Sequence, residues 1–222
     1  MKIAPRVTTL LGALVAIALP IFLVLSNVNL VMTPLFVQYQ YAKPDFPPSE
    51  RFDAASRTKF AIETVRFTRG ELTNVDLQNL NVYNERELSH MRDVQQVATR
   101  ALALDYVLGI FIVVGLLVLW RAGSVMAARS ALFKGAVLTL VIFGAIGLFA
   151  LVAFDAFFVA FHRIFFVGDS WLFLTTDSLI QFYPGPFWVN ASLGIAILTL
   201  LEALVLFAFG WWGRRRVLTG RV

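Results

Sequence analysis

The sequence predicts a mainly α-helical polytopic membrane protein, with four transmembrane helices and a small, mostly helical extracytoplasmic segment between the first two. Three observations carry that expectation. Hydrophobic residues make up 59% of the 222 and charged residues only 15%, whereas soluble chains average about 25% charged. The mean hydropathy is +0.75, and 21 residues are Phe, more than one soluble core of this size can hold. Four apolar stretches, at about 7–31, 101–120, 135–158 and 187–211, each reach the roughly 20 residues that a helix needs to cross a bilayer. Lipid satisfies no backbone polar group, so four separate stretches of that length point to helices rather than a barrel. The whole chain, 1–222, then reads as one membrane domain, with 32–100 as an extracytoplasmic insertion and 158–186 as an outer loop.

The first span follows Lys2 and Arg6, contains Pro20 and carries no charge. Its apolar run is too long for a signal-peptide core and no small-x-small cleavage site follows it, so a retained anchor helix is expected. In 32–100, Pro44, Pro47 and Pro48 make a stiff lead-in, and Ser49 is placed as the N-cap of a helix over Arg51 to Phe67. Gly70 ends that helix. The run LTNVDLQNLNVY (72–83) alternates in part, which suggests short extended pieces. Asn84 with Glu87 three residues on reads as a capping box. The helix it opens carries His90 in its second turn and continues into the second span.

Charge sets the expected orientation. Nine of the 19 cations fall in three stretches without Asp or Glu: Lys2 and Arg6; Arg121, Arg129 and Lys134; and Arg214, Arg215, Arg216 and Arg221. By the positive-inside rule both termini lie in the cytoplasm, and 32–100 and 158–186 lie outside. Trp120, Trp211 and Trp212 would mark the inner interface, Trp171 and Trp188 the outer one. The net charge of +5 then reports topology, not nucleic-acid binding.

The absence of cysteine excludes disulfides, thiolate nucleophiles, Cys-ligated zinc and iron–sulfur clusters. There is no Walker or GxGxxG loop, no HExxH and no GxSxG, and nothing implies a metal or a cofactor. Ser89 beside His90 is no sign of a nucleophile, since adjacent helical residues point in different directions. Asn190–Ser192 is a glycosylation pattern inside a span. The chain has two histidines, His90 and His162, and the topology puts both at the outer level. Asp93 stands three residues after His90, and Asp155 stands seven before His162; a carboxylate at helical spacing suits an imidazole acting as general acid or base. The plainer alternative is one solvated histidine and one interface anchor. Asp105 and Asp155 lie in the outer thirds of their spans, compatible with a polar pocket or with an interhelical hydrogen bond. Glu202 is expected in an ion pair with Arg129 or Lys134.

The stretches YNERELSHMRDV (83–94), FHRIFF (161–166), Trp171, LIQFYP (179–184) and PGPFW (184–188), in that order, resemble the bacterial lipoprotein intramolecular transacylases, called Lit. The four-span layout with a large outer segment is similar as well. The resemblance implies an acyltransferase at the outer face of the bacterial cytoplasmic membrane. It would move the sn-2 acyl chain of a diacylglyceryl-modified lipoprotein to the α-amino group of the lipoprotein's N-terminal Cys, giving the lyso form. Its partners would be the lipoprotein N-terminus and membrane lipid, with no nucleic acid, no obligate protein partner and no cofactor. The resemblance assigns catalysis to His90 and His162; Asp93, Asp155, Arg163 and Glu87 are supporting candidates, Arg163 for an oxyanion or a lipid phosphate. Donor ester and attacking amine belong to one substrate, so no enzyme nucleophile is needed. Two other classes compete: a bis-histidine haem protein and a non-enzymatic membrane scaffold.

Overall fold

The computed structural model describes the backbone of residues 4–218 and side chains through Trp212. Of the cations that set the expected orientation, Lys2, Arg221 and the side chains of Arg214, Arg215 and Arg216 lie outside the described residues. Among the described residues all regular structure is helical. The order is α1 (Pro5–Val31), α2 (Pro34–Tyr41), α3 (Ala54–Thr68), α4 (Asn74–Gln78), α5 (Glu85–Val118), a π-helical turn (Leu119–Gly123), α6 (Val125–Val152), α7 (Phe154–Phe165), α8 (Ser178–Phe182) and α9 (Gly185–Leu218). Four helices among the described residues are long and apolar enough to cross a membrane: Pro5–Val31, Glu85–Gly123, Val125–Val152 and Gly185–Trp212.

The helix expected near 135 begins at Val125, where the Ser124 hydroxyl accepts the Ala127 N–H. Residues 125–134 are less apolar than a span but consist largely of good helix formers. The helix stops at Val152, because Ala153 leaves helical geometry (φ −141°, ψ 60°) before α7 begins.

The chain forms two compact units: residues 1–27, 103–148 and 195–222 in one, 28–102 and 149–194 in the other. The first is the bundle unit. Its core gathers Val15, Leu19, Leu23, Ile112, Leu119 and Ala203. A Cβ on Gly135 would meet Leu19 Cδ2 at 2.8 Å and the Ala16 carbonyl oxygen at 3.0 Å, so α1 and α6 approach backbone to backbone there. Polar side chains add a few ties. Ser26 donates to Asp105 Oδ1 at 2.8 Å, so of the alternatives left open for that acid the interhelical hydrogen bond is the one formed. Asn27 Nδ2 donates to Glu202 Oε2 at 2.8 Å and to Thr199 Oγ1 at 3.2 Å. Glu202 therefore pairs with an amide and not with Arg129 or Lys134, and the Arg129 guanidinium instead lies 5.2 Å from the Phe209 ring centre.

The second is the histidine unit. Its helix α3 starts at Ala54, not near 51, because Asp53 accepts both the Ala55 and Ser56 N–H groups at 3.0 Å and is the true N-cap. Ser49 is occupied elsewhere, accepting from Arg51 and Phe52 N–H and donating to Gln181 Oε1. Gly70 ends α3 as expected, in the left-handed region at φ 78° with its N–H on the Phe67 carbonyl. Residues 72–83 form no strand. A Thr73–Asp76 capping box opens α4 instead. The Asn84–Glu87 box forms as anticipated, with Glu87 N–H on Asn84 Oδ1 at 3.0 Å and Asn84 N–H on Glu87 Oε2 at 2.9 Å.

Short α8 is the hub of this unit. Phe182 is fully buried in a core with Phe67, Leu77 and Val37. Backbone oxygens of the same helix receive Tyr41 Oη–H (2.7 Å, on Phe182) and Arg57 Nε–H (2.7 Å, on Gln181). Tyr183 Oη–H donates to the Ala61 carbonyl at 2.6 Å. The stretch LIQFYP is thus scaffold.

Candidate active site

Both histidines belong to the histidine unit. His90 sits in the second turn of α5 and His162 in the last turn of α7, and they are only 7% and 9% exposed. Burying a polar ring requires that something compensate it. For His162 the compensation is local. Its Nδ1 lies 2.7 Å from the Phe158 carbonyl oxygen one turn earlier. A carbonyl only accepts, so Nδ1 carries the hydrogen, and in the neutral ring the lone pair is left on Nε2. Trp171 stacks 4.7 Å from the imidazole centre at 31°, and Phe158 lies 4.1 Å away. Burial among these rings pushes the His162 pKa below the usual imidazole range, against the opposing pull of the Phe158 carbonyl. Near pH 7 this ring is neutral, the form in which an imidazole accepts a proton.

His90 has different surroundings. Phe166 and Phe173 lie 4.8 and 5.3 Å from its ring centre, and its Nδ1 is buried without a hydrogen-bond partner. Phe166 also lies 5.7 Å from His162, so one phenyl ring touches both imidazoles. The structure brings the two sequence-predicted histidines together.

Three of the rings that enclose them, Phe166, Trp171 and Phe173, sit on 166–177, and α5 with the residue before it holds that segment. Arg86 Nη2–H donates to the Leu172 carbonyl at 2.7 Å and its guanidinium lies 5.8 Å from Phe173; Asn84 Nδ2–H donates to Asp177 Oδ1 at 3.1 Å. Trp171 is itself fixed through Nε1–H to the Gly168 carbonyl at 3.0 Å, where Gly168 takes φ 62°. Arg86 and Phe166 both fall in stretches that carried the resemblance, yet nothing in the sequence marked Phe166 as a neighbour of both histidines or Arg86 as a tether of the segment around them.

The supporting candidates divide. Glu87 is 1% exposed; besides its capping bond it accepts the Leu179 N–H at 2.8 Å, so it ties the start of α5 to α8. Asp93, Asp155 and Arg163 are exposed. Among the described residues no carboxylate is hydrogen-bonded to either imidazole, and for His162 the Phe158 carbonyl fills the orienting role. Asp155 sits in the first turn of α7, where a negative charge stabilises the helix.

Four candidate membrane-spanning helices and a pair of buried, aromatic-enclosed histidines define a polytopic integral membrane protein with a site suited to proton transfer. The model of the family described as lipoprotein intramolecular transacylase Lit matches residues 13–188, and the chain belongs to that family. A protein of Aquifex aeolicus (strain VF5), described only as uncharacterized, is 25% identical over 213 residues, covering 93% of this chain and 95% of its own. The membrane-integral lipoprotein intramolecular transacylase Lit from Bacillus cereus has a similar fold, with a TM-score of 0.74 at 15% identity over 98% of this chain and 99% of that one. A form of the Bacillus cereus protein with a histidine-to-arginine substitution matches with a TM-score of 0.59, again at 15% identity, over 97% of this chain and 95% of its own.

Proposed function

We propose that this transacylase moves the sn-2 acyl chain of a diacylglyceryl lipoprotein to the free α-amino group of the same molecule's N-terminal Cys, and that His90 and His162 carry the protons. The observation that supports this most is the pairing of two buried histidines on one phenyl ring, one of them fixed as the Nδ1–H tautomer. His162 Nε2 takes a proton from the amine, whose nitrogen attacks the ester carbonyl carbon. The tetrahedral intermediate collapses, the bond from carbonyl carbon to glyceryl oxygen breaks, and the departing oxygen receives the proton that the amine gave up, relayed through the histidine pair, so that both rings end neutral as they began. An α-amino group has a pKa of about 7.7–8.0, so a base that is neutral near pH 7 is matched to the task. Apolar walls suit an acyl substrate, and holding ester and amine together supplies on the order of 7–11 kcal/mol.

Both termini are placed in the cytoplasm, and 32–100 and 158–186 outside as an extracytoplasmic insertion and an outer loop. The support is the cation pattern together with the lipoprotein substrate implied by family membership. Family membership also favours an acyl transferase over a haem protein or a scaffold. Tandem mass spectrometry of a reporter lipoprotein tests the reading, in a host lacking lipoprotein N-acylation, with and without this chain. The rearranged isomer has the same mass, so the fragment ions decide. An acyl group on the N-terminal amide is expected; fragments showing only the diacylglyceryl form, with the protein well expressed, would refute it.

A further inference from the structure

The bundle unit holds a site that the transfer chemistry does not use. A groove of about 370 Å³ runs along the end of α5, the π-helical turn and the start of α6, and Val113, Leu117, Trp120, Ala128, Leu132 and Phe209 line it around Arg129. Arg129 is the charged side chain of that lining. Its Nε–H is buried and has no hydrogen-bond partner, and its guanidinium rests over Phe209. A buried N–H of a half-buried guanidinium, left without an acceptor, favours an anion at the site. The neighbouring sequence offers none: 106–152 contains no Asp or Glu, and Glu202, the acid of α9, is engaged by Asn27. Exposed Arg121 and Lys134 on the same segments add positive charge. The rest of the lining is apolar, so a small hydrated anion has little to gain there, whereas an anion joined to hydrocarbon satisfies both the cation and the walls.

We propose that this groove binds an anionic glycerophospholipid, its phosphate on the Arg129 guanidinium and one acyl chain along Val113, Leu117 and Leu132. A guanidinium pairs with phosphate through two parallel N–H donors, which is why the position takes Arg. The groove lies in the unit without the histidines, so the proposal stands apart from the assignment of catalysis. Native mass spectrometry of the full chain tests it, with phosphatidylglycerol and phosphatidylcholine of identical acyl chains at equal mole fraction. Phosphatidylglycerol should be retained about tenfold more strongly, and Arg129→Gln should bring it down to the phosphatidylcholine level. Ala128→Trp, which fills the groove and leaves the cation in place, should weaken retention of phosphatidylglycerol as well, and it serves if Arg129→Gln does not fold. Equal retention of the two lipids by the unaltered protein, or a preference that persists in both variants, would overturn the proposal. So would a copy-to-copy dimer that excludes lipid from the groove.

Discussion

The two units of this chain are held together in different ways. The bundle unit relies on close approach of small residues, as at Gly135 against Leu19 and Ala16, and on sparse polar links such as Ser26 to Asp105 and Asn27 to Glu202. The histidine unit relies on hydrogen bonds between segments far apart in sequence, from Tyr41, Arg57 and Tyr183 to backbone carbonyls and from the Leu179 N–H to Glu87. Among lipid tails apolar side chains gain little by meeting one another, so backbone proximity and a few hydrogen bonds must suffice. In the histidine unit the polar network sets where aromatic side chains lie, and those side chains in turn enclose two imidazoles. The difference teaches where chemistry can be built: on the part whose geometry is fixed by directional bonds.

If that contrast is right, substitutions in the two units must fail differently. The largest effect belongs to the histidines. His162→Ala and His90→Ala should each lower transacylation about 10²-fold or more in folded protein, read by fragment-ion yield from purified enzyme. The double variant should lose far less than the product of the two, because groups on one proton path act as a unit. Glutamine at either position should not restore turnover, since it bonds hydrogen but exchanges no proton near neutral pH.

Next comes Glu87→Ala, which strands the Leu179 N–H and opens the α5 cap. It should cost about 2–4 kcal/mol of stability, seen as a lowered melting temperature. Gly135→Val in the bundle should cost about 1–3 kcal/mol by overpacking, with turnover per folded molecule preserved. A turnover loss matching that of the histidine variants would break the contrast between the units.

The pH profile gives a smaller signal with a definite sign. His162 binds its proton less readily folded than unfolded, so the acid limb of activity should fall below about pH 6.5, with rate lost as pH drops through the lowered value. Folding stability should likewise decline as pH falls from about 6.5 towards that value, and not as it rises. An acid limb above the ordinary imidazole range would remove His162 as the base. Smallest of all, Asp93→Asn and Asp155→Asn should change turnover by less than about threefold, given exposed carboxylates that bond neither ring.

Much of this was legible in the sequence because it depends on local pattern. Hydropathy runs mark spans wherever they fall, the Asn84–Glu87 box is a three-residue relation, and two histidines in a chain without Cys draw attention by elimination. Local signals were also misjudged. Thr73 and Asp76 make a capping box with Asp in place of the commoner Glu, and Asp53 outcompetes Ser49 because the latter is drawn to Gln181. The break at Ala153 was hidden inside an unbroken apolar run, since hydropathy does not register a backbone turn. The surroundings of the histidines were illegible for another reason. Trp171 and Phe173 lie on a loop that Arg86 and Asn84, some 90 residues earlier, tether, and Phe166 reaches His90 from the end of α7; no periodicity encodes that. Asp93 and Asp155 had the right spacing for a carboxylate–histidine pair, but a backbone carbonyl already supplies the orienting bond to His162.

The central claim is that two histidines drive transfer within one lipoprotein molecule. It is tested most directly with the purified protein in lipid nanodiscs and a diacylglyceryl lipopeptide carrying ¹³C in its sn-2 chain, mixed with a ¹³C-peptide version whose chains are unlabelled. Tandem mass spectrometry then locates each label after reaction. The account predicts sn-2 label on the amide of its own peptide, no crossover between the two substrates, and about 10²-fold or more less amide product from His162→Ala. Label migrating to the other peptide, or an undiminished yield from folded His162→Ala, would contradict it.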